Sequence, residues 1–165
     1  MGMRSFPDLM TRLDSIESPI ERRKQAWDFV SKNWGNFPLI EGNDLFFVYY
    51  GKVLFEIAVA GDMNNWSVHF DRMEEVASSD LYYRKYQSPP DARIEYKFVR
   101  DGEWILDPLN SKTCAGDLGS NSELEMPDYV ETYGLLTFPK RLGRTHEHFL
   151  RSEITGAEIA IRVHV

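Results

Sequence analysis

Hydrophobic positions in the first 43 residues repeat with the period of an α-helix. Phe6, Leu9 and Leu13 fall on one side of a first segment. A second helix is expected to begin after Ser18, because a proline follows at the first helical position and a glutamate stands three residues on, as in a capping box. The two patterns predict a helical leader over residues 1–43.

The second helix carries large apolar residues at helical spacing. Ile20, Trp27, Val30 and Trp34 form one stripe along it. An apolar stripe on a helix usually packs against the core, so we expect Trp27 and Trp34 to be buried there.

From residue 44 onward the hydrophobic period changes from helical to two. The apolar side chains of Tyr96 and Phe98 alternate with polar ones, so Lys97 is expected to point away from the face that buries them. Gly, Pro and Asp separate such runs into short segments with regular turns, which indicates an antiparallel β-sandwich over residues 44–126. The runs that read as strands are 53–60, 82–86, 93–98 and 122–126.

The C-terminal part predicts a connector followed by a hairpin. Residues 127–145 contain several Pro, Gly and basic residues and read as a linker. Residues 146–165 contain two strand-like runs around Thr155-Gly156, the second with alternating apolar side chains. Because an isolated hairpin is marginally stable, its apolar face needs a partner. We expect it to pack on the sandwich or on a second copy, which would give a homodimer.

Charge and composition exclude several classes of partner. The net charge is −7 and the pI is about 5.1, whereas nucleic acids and anionic membranes call for a basic surface. No run approaches the roughly 18 apolar residues of a membrane span, and the first thirty residues lack the apolar core of a signal peptide. We therefore expect no nucleic acid or membrane partner and a cytoplasmic protein.

The sequence offers no catalytic constellation. It contains no Gly-x-Ser-x-Gly elbow and no glycine-rich nucleotide loop. His146 and His148 would share a strand face, but no third metal ligand has suitable spacing. The single cysteine, Cys114, cannot form an intrachain disulfide and reads as an idle thiol. We predict no catalytic residue, no metal and no cofactor.

Four aromatic and polar motifs follow one another in the sandwich region. They are Gly61-Asp62-Met63-Asn64-Asn65-Trp66, Tyr96-Lys97-Phe98, Asp101-Gly102-Glu103-Trp104 with Asp107-Pro108, and Leu118-Gly119-Ser120-Asn121-Ser122. Their order resembles the glycogen-binding or isoamylase N-terminal domains, an early-set class also described as carbohydrate-binding module 48-like. Met63 stands where that class usually has phenylalanine. The resemblance implies an immunoglobulin-like sandwich.

The same resemblance implies a carbohydrate site. In sugar-binding members two tryptophans, a lysine and an asparagine contact the glucan, and these positions correspond to Trp66, Lys97, Trp104 and Asn121. Indole faces suit the flat C–H patches of sugars, and lysine and asparagine suit hydroxyl groups. Members that bind no sugar keep such tryptophans as packing residues, so a purely structural role remains the alternative.

The flanking segments carry a second resemblance. The helical leader, Pro38-Leu39-Ile40-Glu41-Gly42, the segment 122–127 and the terminal hairpin resemble the N-terminal portion of bacterial esterases related to enterochelin esterase. That resemblance implies that residues 146–165 begin an α/β-hydrolase domain, which would act on a small-molecule ester. The chain itself is then a non-catalytic accessory domain that either binds an α-glucan or another glycan, or only shapes substrate access or oligomerisation. A freestanding enzyme is the reading least favoured.

Overall fold

The computed structural model describes residues 5–69, 71–116, 119–131 and 143–165. They form two compact units, Met1–Val130 and Glu131–Val165. The predicted fold class, a mainly antiparallel β-sandwich with N-terminal helices, is confirmed. Most of the predicted linker, residues 132–142, lies outside the described residues.

The elements are α1 (Phe6–Ser15), α2 (Pro19–Lys32), β1 (Leu39–Glu41), β2 (Asp44–Tyr50), β3 (Ile57–Gly61), a 3-10 turn (Asp62–Asn64), β4 (Glu74–Glu75), β5 (Leu81–Gln87), β6 (Arg93–Arg100), β7 (Glu103–Ile105), β8 (Thr113–Gly116), β9 (Gly119–Glu125), β10 (Thr145–Arg151) and β11 (Glu158–His164).

The second helix begins where its sequence signal predicts. The Ser18 hydroxyl accepts a hydrogen bond from the Glu21 backbone N–H at 3.4 Å. The Glu21 carboxylate accepts from Gln25 one turn later, at 2.8 Å, so only half of the capping box is formed. In the described part of the chain, neither helix has the length and apolar character needed to cross a bilayer.

The expectation that Trp27 and Trp34 are buried is wrong. Trp27 is 47% exposed and Trp34 is 55% exposed. Helix α2 buries Ala26, Phe29 and Val30, so Val30 is the member of the predicted stripe that reaches the core, and the two tryptophans lie outside the covered face. The ring of Trp27 packs against one tyrosine ring of the first sheet at a centroid distance of 5.5 Å.

The first sheet has the strand order β1-β2-β5-β4 and is covered on one face by the helices. Strand β2 is buried on both faces because its alternate side chains reach two different cores. Phe46 and Val48 pack with Phe6 and Val30 of the helices. This double burial explains why the strand reads as a continuous apolar run rather than as an alternating one.

The second sheet contains β3-β6-β9-β8, with β7 paired to β6. Its inner face meets the first sheet in a core that includes Phe47 of β2, Val59 of β3, and Tyr96 and Phe98 of β6. The rings of Phe47 and Tyr96 lie 4.7 Å apart in an edge-on arrangement. Since this core covers the face of β6 that carries Tyr96 and Phe98, the side chain of Lys97 between them lies on the other face.

The strand predicted over residues 53–60 begins only at Ile57. The backbone N–H groups of Leu54, Phe55 and Glu56 donate to the Asp101 carboxylate instead of a neighbouring strand, the shortest at 2.8 Å. One carboxylate therefore replaces the ladder hydrogen bonds for these three residues, and the alternating sequence forms a loop.

The C-terminal unit is the predicted antiparallel hairpin of β10 and β11. Its register puts Leu150 opposite Ile159 and His148 opposite Ile161, so these side chains share one face. Glu147 and Arg162 form an ion pair of 2.9 Å on the other face. The apolar side chains of β11 are between 38% and 52% exposed, and pairing with a second copy stays a prediction.

Candidate functional site

A pocket of about 850 Å³ lies on the outer face of the second sheet. Its wall contains all four residues that the sequence resemblance singles out: Trp66, Lys97, Trp104 and Asn121. Asp62, Glu95, Ala115 and Gly116 complete the lining. The site therefore brings together side chains from four separate segments of the chain.

The loop after β3 presents Trp66 in an unusual backbone conformation. Asn65 and Trp66 both have positive φ, at 52° and 60°. Positive φ is rare for a bulky residue and costs about 1–3 kcal/mol, so surrounding contacts must hold it. The Trp66 backbone N–H donates to the Gly61 carbonyl at 2.9 Å, and its indole N–H donates to the Asp62 carboxylate at 3.2 Å.

Gly61 is required because β3 passes very close to β6 at this point. A Cβ at Gly61 would lie 2.4 Å from the Glu95 carbonyl oxygen and 2.8 Å from the Tyr96 Cβ. The Glu95 backbone N–H donates to Asp62 at 2.8 Å, so Asp62 ties the tryptophan loop to β6 and holds the indole at once.

The Asn64 side chain holds this loop in place through hydrogen bonds. Its side-chain oxygen accepts from the Gly61 N–H at 3.0 Å. Its amide nitrogen donates to the Val59 carbonyl at 2.9 Å and to the Asp71 carboxylate at 2.7 Å. The amide thus satisfies backbone groups at the end of β3 that would otherwise be partly buried without partners.

We expect Asn64→Ala to lower the free energy of unfolding by about 2 kcal/mol, because it leaves part-buried donors and acceptors unpaired. Chemical denaturation monitored by circular dichroism measures the effect. Asn65→Gly is the matched control, since glycine adopts the positive φ of that exposed position readily. Equal losses in the two variants would contradict the role assigned to the Asn64 side chain.

A tight turn positions Trp104. Asp101 and Gly102 both have positive φ, at 52° and 86°, as a two-residue type I′ hairpin turn requires. Trp104 then pairs with Val99 across the ladder of β6 and β7 and is 49% exposed. The hydrogen bonds from Phe55, Leu54 and Glu56 lower the pKa of Asp101 below its ordinary value, so its carboxylate is ionised at neutral pH.

The two indoles form a stacked pair at the surface. Their ring centroids lie 6.4 Å apart, with 30° between the ring planes. Both tryptophans lie outside the two clusters of buried core residues, and Trp66 is only partly buried. The pair consequently offers indole surface to the pocket rather than to the sandwich interior.

Lys97 lies on the outer face of β6, as the alternation predicts, while Tyr96 and Phe98 are fully buried. Tyr96 pairs with Ser122 across the ladder of β6 and β9, which brings Asn121 level with Lys97. The Asn121 amide donates to the Glu95 carboxylate at 2.9 Å. An ammonium group and an amide therefore stand beside the indoles.

Sequence reasoning missed Glu95 and Asp62 as members of the site. Hydrogen bonds from Asn121 and then Arg93 lower the pKa of Glu95 despite the opposing effect of partial burial, so the pocket contains an ionised carboxylate. Strand alternation would have found Glu95, which stands two residues before Lys97 on the same face. Asp62 precedes Trp66 by four residues, and only the folded loop shows that the two side chains meet.

The described ranges contain no group of three or more His, Cys, Asp or Glu arranged to hold a metal ion. His146 and His148 fall on the same face of β10, consistent with alternation, and their neighbours across the ladder are Val163 and Ile161.

Comparison with protein-family profiles and with curated proteins finds no match. Among solved structures, the chain is similar to the enterobactin esterase Fes of Shigella flexneri, determined with enterobactin, at 18% identity and a TM-score of 0.48. That alignment covers 71% of this chain and 38% of the other. Ferric enterobactin esterase of Salmonella typhimurium gives 16% identity and a TM-score of 0.47, over 72% of this chain and 40% of the other. The chain thus spans about two fifths of these proteins, and similarity at this level carries no information about function.

Proposed function

We propose that this chain is a non-catalytic accessory domain that binds a glycan, with an α-glucan as the first candidate, through Trp66, Lys97, Trp104 and Asn121. One observation carries the proposal. The four residues that the family resemblance singles out all line a single pocket, and two of them form a stacked indole pair.

The chemistry of the lining suits a sugar. Indole faces exclude water from the C–H patches of a pyranose ring, which is favourable for both surfaces. Lys97 supplies hydrogen-bond donors, and Asn121 supplies an amide with both a donor and an acceptor. A volume of about 850 Å³ is within the range of pockets that take small ligands, so several sugar rings can be accommodated.

The esterase context is part of the proposal and rests on the sequence resemblance of the flanks. The full sequence contains no Gly-x-Ser-x-Gly elbow, so we assign ester cleavage to an α/β-hydrolase domain outside residues 1–165. In this arrangement the glycan-binding domain would hold the enzyme near a glycan or a glycosylated ester.

A second candidate is a structural domain that shapes substrate access or oligomerisation and has no ligand of its own. The self-contained hydrogen bonding of the Trp66 loop favours this candidate. The indole N–H of Trp66 already donates to Asp62, and the Trp66 and Trp104 rings cover part of each other. A measurement of glycan binding separates the two candidates.

We expect the protein to bind maltoheptaose, and Trp66→Ala or Trp104→Ala to weaken that binding about tenfold or more, because a tryptophan at the centre of a contact is worth about 2 kcal/mol. Isothermal titration calorimetry with maltoheptaose up to millimolar concentrations measures the affinity.

Trp27→Ala is the matched control. Trp27 is 47% exposed, close to the 49% of Trp104, but it lies on helix α2 and outside the pocket. Affinity that falls equally in all three variants would contradict the assigned site. Absence of any heat of binding in the wild-type protein would favour the structural candidate over this ligand.

A further inference from the structure

We propose that Glu95 is a specificity-determining residue of this pocket, whose negative charge admits uncharged glycans and excludes glycans that carry acidic groups. The inference rests on the proposed function, since it assigns the class of sugar that the same site accepts. It depends on a residue that the motif resemblance does not single out.

Glu95 presents its carboxylate directly to the pocket. Its side chain is 23% exposed, and it lies two residues from Lys97 on the outer face of β6. One oxygen accepts from the Asn121 amide and the other from Arg93, each at 2.9 Å. An ionised carboxylate has about four acceptor positions and no donor, so it can still accept from a sugar hydroxyl but repels another anion.

The neighbouring charges leave the site negative. Asp62 is a second carboxylate in the lining, and Lys97 is the cation among the lining residues. Arg93 does not cancel the excess, because it is shared between Glu95 and Glu123. These five groups together carry one net negative charge, within a chain whose net charge is −7.

Glu95 also orients the asparagine. The Asn121 amide nitrogen that donates to Glu95 lies against Gly116, where an added Cβ would come within 2.5 Å of it. This contact and the hydrogen bond together fix the amide plane. The Asn121 side-chain oxygen is an acceptor, so it suits a ligand hydroxyl, whereas an ionised carboxylate or sulfate group on the sugar has no proton to donate to it.

The test compares maltoheptaose with the same oligosaccharide after oxidation of its C6 hydroxyls to carboxylates. We expect the wild-type protein to bind the oxidised sugar at least about fivefold more weakly than maltoheptaose at low salt, as Coulomb repulsion near a protein surface predicts. The affinity for maltoheptaose divided by the affinity for the oxidised sugar should fall toward one in Glu95→Gln. The same ratio should also fall toward one at higher ionic strength.

Glu123→Gln is the control, because it frees Arg93 in the same way but Glu123 does not line the pocket. The affinity ratio should change less in that variant than in Glu95→Gln, because the charge that is removed lies outside the pocket. Equal binding of both sugars by the wild-type protein, or an unchanged ratio in Glu95→Gln, would overturn the inference while leaving glycan binding intact. Binding of the oxidised sugar alone would also overturn it, and absence of binding by either sugar would overturn the proposed function with it.

Discussion

Phe6→Ala is expected to lower the free energy of unfolding by about 3–5 kcal/mol, the usual cost of removing a fully buried phenylalanine. Phe6 has no exposed surface and contacts three aromatic rings. Its ring lies 5.2 Å from Phe46 of the first sheet and 6.0 Å from Phe29 of helix α2. The side chain therefore joins both helices to the sandwich, and its loss leaves a cavity where three elements meet.

Phe55→Ala provides a matched control for this prediction. Phe55 is 87% exposed and its backbone N–H, which donates to Asp101, survives the substitution. We expect its effect to stay within about 0.5 kcal/mol. Urea unfolding of the two variants measures the difference. A loss below about 1 kcal/mol in Phe6→Ala would mean that the helices are not part of the cooperative folding unit of the sandwich.

Local signals in the sequence were sufficient for the elements that depend on neighbouring residues. The start of helix α2 follows from Ser18 and the proline after it, and the alternation in β6 correctly separates buried Tyr96 and Phe98 from Lys97. The family resemblance carried by four motifs also points to residues that meet in one pocket. These signals lie either within a few neighbouring residues or in the order of the motifs along the chain.

Features that depend on distant partners could not be predicted in this way. The apolar alternation at residues 53–56 fails to form a strand because Asp101, more than forty residues away, takes its N–H groups. Trp27 shares its predicted stripe with Val30, but the face that the helix buries is centred on Phe29 and Val30 and leaves Trp27 half exposed. Residue type and period do not indicate which of two apolar faces will be covered.

The acidic part of the candidate site illustrates the same limit. In the sequence Asp62 is only one member of the motif that ends at Trp66, whereas in the fold it accepts from both the Trp66 indole and the Glu95 backbone. The resemblance was enough to assign Lys97 and Asn121 to the site. The net charge of the pocket depends also on neighbouring residues, whose positions only the fold shows. The ligand selectivity of this site could therefore not be predicted from the sequence alone.

The stability of the protein is expected to change with pH through one buried carboxylate, Asp107. It is 2% exposed and accepts from the Tyr96 hydroxyl at 2.7 Å and from the Leu109 N–H at 2.8 Å. Its own backbone N–H donates to Ser122 of β9 at 2.9 Å. Burial raises the pKa of Asp107 to about 6, although the hydrogen bonds from Tyr96 and Leu109 to its carboxylate oppose the rise. The network connects β6, β9 and the segment that follows Trp104.

A raised pKa in the folded state fixes the direction of the effect. Between about pH 4 and pH 6 the folded chain keeps a proton on Asp107 that the unfolded chain releases. The contribution of this group to the free energy of unfolding therefore falls as the pH rises through that window. An increase of the pKa from 3.8 to about 6 corresponds to about 3 kcal/mol, which is lost by neutral pH.

Asp107→Asn removes this titration, so the difference in unfolding free energy between wild type and variant isolates it. Urea unfolding from about pH 4 to pH 7 should show the wild type losing about 3 kcal/mol relative to Asp107→Asn as the pH rises. Asp91→Asn, at an exposed turn position, controls for the loss of one negative charge. Parallel curves for wild type and Asp107→Asn would show that the buried carboxylate does not couple to folding. The predicted divergence would place a proton-dependent network directly beneath the strands that carry Lys97, Trp104 and Asn121.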